Sequence, residues 1–153
     1  LYSGLSNSVS GGASIDDTDV LSGTATLDGG NVPASDRHFA VHSEAVEDLR
    51  AVNKFTEYDK TGQTGVAVTD GTIAKVYGTE VVMTNNVVET SGSPNLLHNL
   101  LFHREAFALA QQTGPTVRSE ESVDHIGFKY VVHTIYGVGE YRDEAAVDMQ
   151  LNS

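Results

Sequence analysis

The sequence predicts an α+β fold on three observations. Glycine is frequent at 15 residues, proline scarce at 3 and tryptophan absent, a balance that favours strands and turns over a helical bundle. Two short segments, near residues 16–29 and 43–52, place an apolar stripe behind a capping residue, the pattern of a helix. The segments 73–88, 96–102 and 122–137 are rich in β-branched, leucine and aromatic residues, which suit a pleated surface. A length of 153 residues fits one domain or two small lobes sharing a core.

In chain order, residues 1–14 (LYSGLSNSVSGGAS) are rich in serine and glycine and read as a loop or flexible arm. Asp16 or Asp17 then caps a helix, with Asp17 and Asp19 at the positive end of its dipole. Val20, Leu21, Ala25 and Leu27 give it a partial apolar stripe, Gly23 weakens it, Gly29-Gly30 stops it, and Pro33 lies beyond. Arg37 to His42 reads as a short strand. Ser43 caps a second helix through about Val52, with Ala45, Val46, Leu49 and Val52 on one face and Glu44 and Glu47 in the first turn. Residues 53–71 contain the turn signals DKTGQTG and TDG and read as a loop with room for one hairpin. Ile73 to Val88 reads as a strand, SGSPN as a break, and Leu96 to Phe102 as a strand. Ala106, Phe107, Leu109 and Ala110 predict a short helix from Glu105 to Gln111, ended by Gly114-Pro115. Ser122 to Gly137 predicts a long strand, with Arg142 to Leu151 as its partner.

The charge excludes some functions. Nine Lys+Arg against 21 Asp+Glu give a net charge of −12. The deficit is even: residues 1–32, 33–114 and 115–153 each net −4. No basic stripe is available to release counterions from phosphates, so specific nucleic-acid binding is not expected, nor is attraction to anionic lipid. No apolar run approaches the roughly 20 residues that span a bilayer. With no cysteine, neither a disulfide nor a thiolate zinc site can form. The first residue is Leu1, which points to a processed or partial chain.

Catalytic and metal constellations are likewise missing. The six histidines are 38, 42, 98, 103, 125 and 133, with no HExxH. His38 and His42 lie on one predicted strand about 13 Å apart, too far to share a metal. In a calcium loop counted from Asp17, Ser22 stands where glycine is needed and Asp28 where glutamate is. Gly137-Val138-Gly139 begins a dinucleotide fingerprint, but Arg142 replaces its last glycine and no helix follows, so it reads as a turn or bulge. The acid pairs Glu120-Glu121 and Asp143-Glu144 read as solvated surface. His103-Arg104-Glu105 reads as a strand-to-helix corner, with Phe102, Ala106 and Phe107 turned inward, because adjacent side chains do not converge. Neither a metal nor a cofactor is expected, and the chain is not expected to be an enzyme.

Three stretches resemble one family. TLDGGNVPASDRHFAVHSEAVEDL (Thr26 to Leu49) is similar to the segment of tailed-phage major capsid proteins where a helix ends, a Val-Pro turn follows, and a strand and helix begin. GTIAKVYGTEVVMTNNV resembles the family's central strand. NLLFHREAFALA followed by YGVGEYRDEAAVDMQL resembles its C-terminal part, most like the short-tailed phages, with Arg104, Ala106, Gly139, Arg142 and Ala145 at the matching positions. The resemblance covers most of residues 20–151 and implies a partial Hong Kong phage-type capsid fold. Residues 1–32 would hold an arm and the capped helix, 33–114 most of the axial lobe near the capsomer centre, and 115–153 the returning peripheral-lobe strands. Family chains are much longer, with an N-terminal arm, an extended hairpin loop and a long spine helix before this region. The resemblance therefore implies the C-terminal portion of a subunit.

It also implies a function: a structural subunit of an icosahedral phage shell, built in the host bacterial cytoplasm and forming hexamers and pentamers around packaged DNA. Partners would be other copies, with scaffolding and portal proteins. Arg37, Arg104, Glu105, Arg118, Arg142 and Asp143 are the candidate contact residues, the arginines being scarce cations in an acidic chain. Arg104 and Arg142 are expected in salt bridges within or between subunits. A non-viral nanocompartment shell shares the fold. Two other readings start from the residues themselves. A β-rich carbohydrate- or protein-binding module would expose aromatics among Tyr58, Tyr77, Tyr130, Tyr136 and Tyr141. A hydrolase would need a metal or triad built from histidines and carboxylates.

Overall fold

The computed structural model describes residues 5–52, 75–122 and 126–152. The predicted loop over 53–71, with Tyr58 and the first residues of the predicted 73–88 strand, lies outside them, as does His125.

Among the described residues the first element is a short strand, β1 (Ser8–Ser10), inside the segment expected to be a loop or arm; it pairs parallel with the last strand through Ser8↔Asp148 and Ser10↔Gln150. Helix α1 (Asp17–Gly29) is capped by Asp16, whose carboxylate accepts from the N–H groups of Thr18 and Asp19, while Asp19 accepts from Asp16 N at 3.1 Å. This reciprocal box satisfies backbone donors that a helix start leaves open. Val20, Gly23, Thr24 and Leu27 face inward, whereas Leu21 and Ala25 of the predicted stripe face solvent. Thr24 is tolerated inside because its hydroxyl returns to Val20 O at 2.7 Å. Gly23 is required by proximity: a Cβ there would lie 2.9 Å from Leu101 Cδ2 and 2.9 Å from Met149 Sδ.

Strand β2 (Arg37–Val41) alternates buried and half-buried residues. Helix α2 (Ser43–Ala51) follows with Ala45, Val46 and Leu49 buried. Its cap is His42 rather than Ser43: His42 has extended backbone and its ring accepts from Glu44 N. The predicted 73–88 strand is broken in three: β3 (Lys75–Val76), β4 (Thr79–Met83) and β5 (Val88–Thr90). The first break is a tight turn in which Tyr77 and Gly78 both have positive φ, 48° and 80°. Such a turn matches the twist of an antiparallel pair, and β3 and β4 form one.

Strand β6 (Leu96–His103) continues into β7 (Phe107–Ser122), β8 (Gly127–Glu140), a 3-10 turn (Asp143–Ala145) and β9 (Ala146–Asn152). The helix expected at Glu105–Gln111 is the start of β7. Its apolar spacing was too short to separate helix from strand, and long antiparallel pairing with β8 decides for strand. Gly114-Pro115 does not end the element; the strand absorbs it through register shifts between Gln111 and Thr113 and between Thr113 and Thr116. Gly137 and Gly139 are strand residues opposite Ala110 and Ala108, not a turn. Nor does the last strand pair with β8: β9 joins β6 from Leu96↔Asn152 to Phe102↔Ala146.

The result is a seven-stranded mixed sheet in the order β1-β9-β6-β2-β4-β3, with β5 also on β6, and a separate two-stranded ribbon of β7 and β8. Phe39, Val41, Leu97, Leu101, Val147, Met149 and Leu151 form one buried cluster with Val20, Leu27 and Leu49 of the helices. The ribbon leaves this body at Ala106 and returns at Tyr141, where the Tyr141 N–H donates to Ala106 O at 2.8 Å.

Candidate functional site

The predicted contact residues divide by exposure. Arg37 is an internal brace: its side chain is 5% exposed, Nε donates to Pro33 O at 2.8 Å, and Nη2 donates to Val32 O at 2.7 Å and to Asp28 at 2.6 Å. Arg142 donates to Gly30 O at 2.9 Å and has Glu144 and Glu105 at 3.7 and 4.0 Å. Arg104 is 71% exposed with only a 3.8 Å ion pair to Asp36, and Arg118 is exposed on the ribbon. Arg104 and Arg142 thus both have intra-chain acidic partners, and Glu105 belongs to the second of these pairs. Asp143 accepts from Ser6 N at 2.9 Å, fastening Ser6 to the 3-10 turn. Hydrogen bonding from Ser6, through side chain and then backbone, holds its carboxyl below the usual range. Desolvation, followed by the charge of Asp143, pushes Glu140 up.

His103-Arg104-Glu105 is the β6–β7 corner. His103 is buried and its Nδ1 accepts from Glu105 N at 3.2 Å; Ala106 N returns to His103 O at 2.9 Å. Phe102 and Phe107 meet edge-on at 5.5 Å. His38 faces Glu80 across β2 and β4 at 3.3 Å, and His42 caps a helix. These histidines do not converge, and among the described residues no group of three or more His, Asp or Glu side chains could hold a metal ion.

A polar ladder that sequence reading missed crosses three strands. His98 Nδ1 lies 2.8 Å from Asp148 Oδ2, both side chains buried, and Thr90 Oγ1 lies 2.9 Å from His98 Nε2. With the Nδ1 proton turned to Asp148, Nε2 accepts from the Thr90 hydroxyl. Gln150 Nε2 adds a 3.0 Å bond to Asp148. The order hydroxyl–imidazole–carboxylate is that of a nucleophile relay, here tying β5 and β9 to β6. Next to it Asn99, fully buried, accepts from His42 N at 2.7 Å and donates to Met149 O at 3.3 Å. The legible signal was polar residues inside the apolar runs LLHNLL and AVDMQL, which a buried network explains.

Among the described residues, a groove and a ribbon face are available for recognition. A groove of about 280 Å³ opens beside the ladder, with apolar walls from Ala40, Val87, Val88 and Leu100 and one polar end at His98. The larger surface is the ribbon. The pairs Leu109↔Val138, Val117↔Val132 and Ser119↔Tyr130 put Phe128, Tyr130, Val132, Tyr136 and Val138 on one face with Leu109 and Val117. All seven are exposed, Leu109 at 70% and Phe128 at 68%. A contiguous apolar face of this kind marks an interface, and a two-stranded hairpin is marginal alone in water.

No family model matches the chain, and no curated protein matches it in sequence. Solved structures do match. A chain from Mycobacterium phage Che8 is 26% identical with a TM-score of 0.78, over 94% of this chain and 52% of that one. The capsid of cyanophage P-SCSP1u is 18% identical with a TM-score of 0.75, over 96% of this chain and 53% of that one. A virus-like particle from Pyrococcus furiosus shares the fold less closely, at 14% identity and a TM-score of 0.52, over 88% of this chain and 51% of that one. Spanning about half the length of the chains it matches, the protein therefore has the Hong Kong phage-type fold of tailed-phage major capsid proteins.

Proposed function

We propose that the chain is part of a structural subunit of an icosahedral phage capsid. The subunit assembles with copies of itself into hexamers and pentamers around packaged DNA. The observation that carries this reading is backbone agreement with the cyanophage capsid over 96% of the chain. Scaffolding and portal proteins are its further partners, and assembly takes place in the host bacterial cytoplasm. Its role is mechanical and not enzymatic. Residues 1–32 supply an arm and capped helix, 33–114 most of the axial lobe, and 115–153 the returning peripheral-lobe strands. Within the last segment β9 sits in the main sheet, so the ribbon is the part that projects.

The ribbon supports the same reading. Two strands about 4.8 Å apart give a face about as wide as one α-helix. The remainder of a full-length subunit, including the spine helix implied by the resemblance, covers its apolar side. The surface is acidic throughout and repels the packaged DNA rather than gripping it.

Tyr130 and Tyr136 are 67% and 62% exposed on the ribbon's apolar face, which favours a binding module as the second reading. Electron microscopy of the full-length polypeptide, coexpressed with its scaffolding protein, separates the two. Closed shells or hexameric sheets are expected. A monodisperse monomer with its partner present, together with hits on a glycan array, would favour the binding module.

A further inference from the structure

We propose that the middle of the ribbon, residues 112–115 of β7 opposite 134 and 135 of β8, is a flexion point at which the distal half turns against the base, so that identical copies fit unequal positions in one shell. The proposal rests on the capsid reading for those positions. Pentamers and hexamers need different rotations between neighbours that share one sequence.

The first observation is a mismatch in residue count. Gln111↔Tyr136 and Thr116↔His133 are paired, so four residues of β7 (112–115) stand opposite two of β8 (134 and 135). Extra residues in one strand bend it and increase its local twist. An excess of one would turn every later side chain to the other face, whereas an excess of two restores the alternation. Leu109 and Val117 accordingly share a face on either side of the mismatch. The ladder is interrupted while the pattern of the faces is kept.

The second observation is how the backbone is satisfied there. Pro115 has no N–H to give to a ladder. The Thr134 hydroxyl donates to Thr113 O at 2.9 Å, and the Thr116 hydroxyl donates to Gly114 O at 3.1 Å. A hydroxyl hydrogen swivels to follow its acceptor, whereas a ladder N–H is fixed in the peptide plane. On both flanks the pairing is regular, from Phe107↔Glu140 to Gln111↔Tyr136 and from Thr116↔His133 to Ser122↔Gly127. Among the described residues β7 and β8 have only each other as strand neighbours. Resistance to bending then comes from the ladder, and is least where the ladder is broken.

The third observation is the apolar face. It falls into two patches, Leu109, Tyr136 and Val138 near the base and Val117, Tyr130 and Val132 beyond, with Thr134 between them on β8. The two halves therefore offer separate anchors to whatever covers the face.

The test images particles of the full-length subunit, assembled with its scaffolding protein, by cryo-electron microscopy. Copies from pentamers and hexamers are superposed on the main sheet. They should share one path along residues 107–111 and 136–140 and diverge from 112 and 135 toward the tip. Ribbons that coincide over their whole length, or that already diverge at Ala106 and Tyr141, overturn the flexion point and leave the capsid reading standing. Failure of the wild-type subunit to form particles overturns both. Deletion of Gly114 and Pro115 gives a second measure. It leaves two residues opposite two, which a regular antiparallel ladder accommodates. The shortened subunit should melt no lower than wild type, while the yield of closed shells falls at least about tenfold. An unchanged yield overturns the proposal.

Discussion

Arg142 and Gly30, 112 positions apart, are joined by one hydrogen bond from the guanidinium to the backbone carbonyl at 2.9 Å. The bond ties the 3-10 turn before the last strand to the end of the first helix. The side chain is 33% exposed, and Glu105 and Glu144 lie within 4.0 Å of it. A carbonyl at a helix C-terminus carries partial negative charge, so the donor is well matched.

Arg142→Ala should therefore weaken the fold itself, by about 1–2 kcal/mol, or roughly 3–6 °C in melting temperature. Arg104→Ala removes only an exposed 3.8 Å pair and should change stability by less than about 0.5 kcal/mol. Its effect, if Arg104 serves a subunit contact, appears in particle yield. Thermal denaturation of both variants decides. Equal melting temperatures would show that the Gly30 bond contributes nothing measurable.

Asn99→Ala should be among the most damaging polar substitutions. Its amide serves the His42 N–H and the Met149 carbonyl from a fully buried position. Truncation leaves these groups without that partner, at about 1–3 kcal/mol for each buried group left unsatisfied, and adds a cavity. Chemical denaturation should show a loss of at least about 2 kcal/mol. A loss under about 0.5 kcal/mol would mean that water replaces the side chain at no cost.

Gly23→Val tests the approach of α1 to the sheet. An added Cβ meets Leu101 and Met149, both buried, at 2.9 Å, and valine adds two further methyls. Relief of the glycine's helix penalty contributes about 1 kcal/mol or less, while overpacking costs about 1–3 kcal/mol. Net destabilisation is expected by denaturant titration, and a stabilised variant would refute the close approach.

Much of this was legible in the sequence because it depends on local signals. The Asp16 cap and glycine stop of α1 and the short strand from Arg37 rest on neighbouring residues, whereas only Val20 and Leu27 of the predicted α1 stripe are buried; the capsid motifs kept their order. Three features were not local. Glu105 to Gln111 satisfied a short helical spacing, and only its pairing with β8 makes it a strand. The pairing of β9 with β6 instead of β8 is a choice between distant partners. His98, Thr90 and Asp148 carry no sequence spacing that announces them, since cross-strand neighbours are set by register. Tyr77 was visible as an aromatic, but its left-handed turn became evident only with β3 and β4 in place.

Asp143 and Glu140 give the last prediction, on pH. The Ser6 hydrogen bonds depress the folded-state pKa of Asp143 below its ordinary value of 3.8. A depressed carboxylate contributes stability above its unfolded pKa and loses it as pH falls through the folded value. The clasp between Ser6 and the 3-10 turn is thus intact at neutral pH and weakens as pH falls below the ordinary value of an aspartate. Glu140 behaves oppositely: desolvation first, and the Asp143 charge second, raise it above 4.5. Its ionised form opposes the fold, so the stability present below the unfolded pKa is lost as pH rises through the raised value. In Asp143→Asn the second cause disappears and the first remains. The Glu140 carboxyl should then titrate lower than in wild type but still above its unfolded range, as read by carbon-13 NMR. At neutral pH the Ser6 amide should exchange faster with solvent, while the Gly11 amide, which donates to Gln150 O at 2.8 Å, keeps its protection. Loss of protection at both amides would mean that β1 depends on Asp143 and not on its own pairing with β9. An unshifted Glu140 would mean that the two carboxyls do not sense each other.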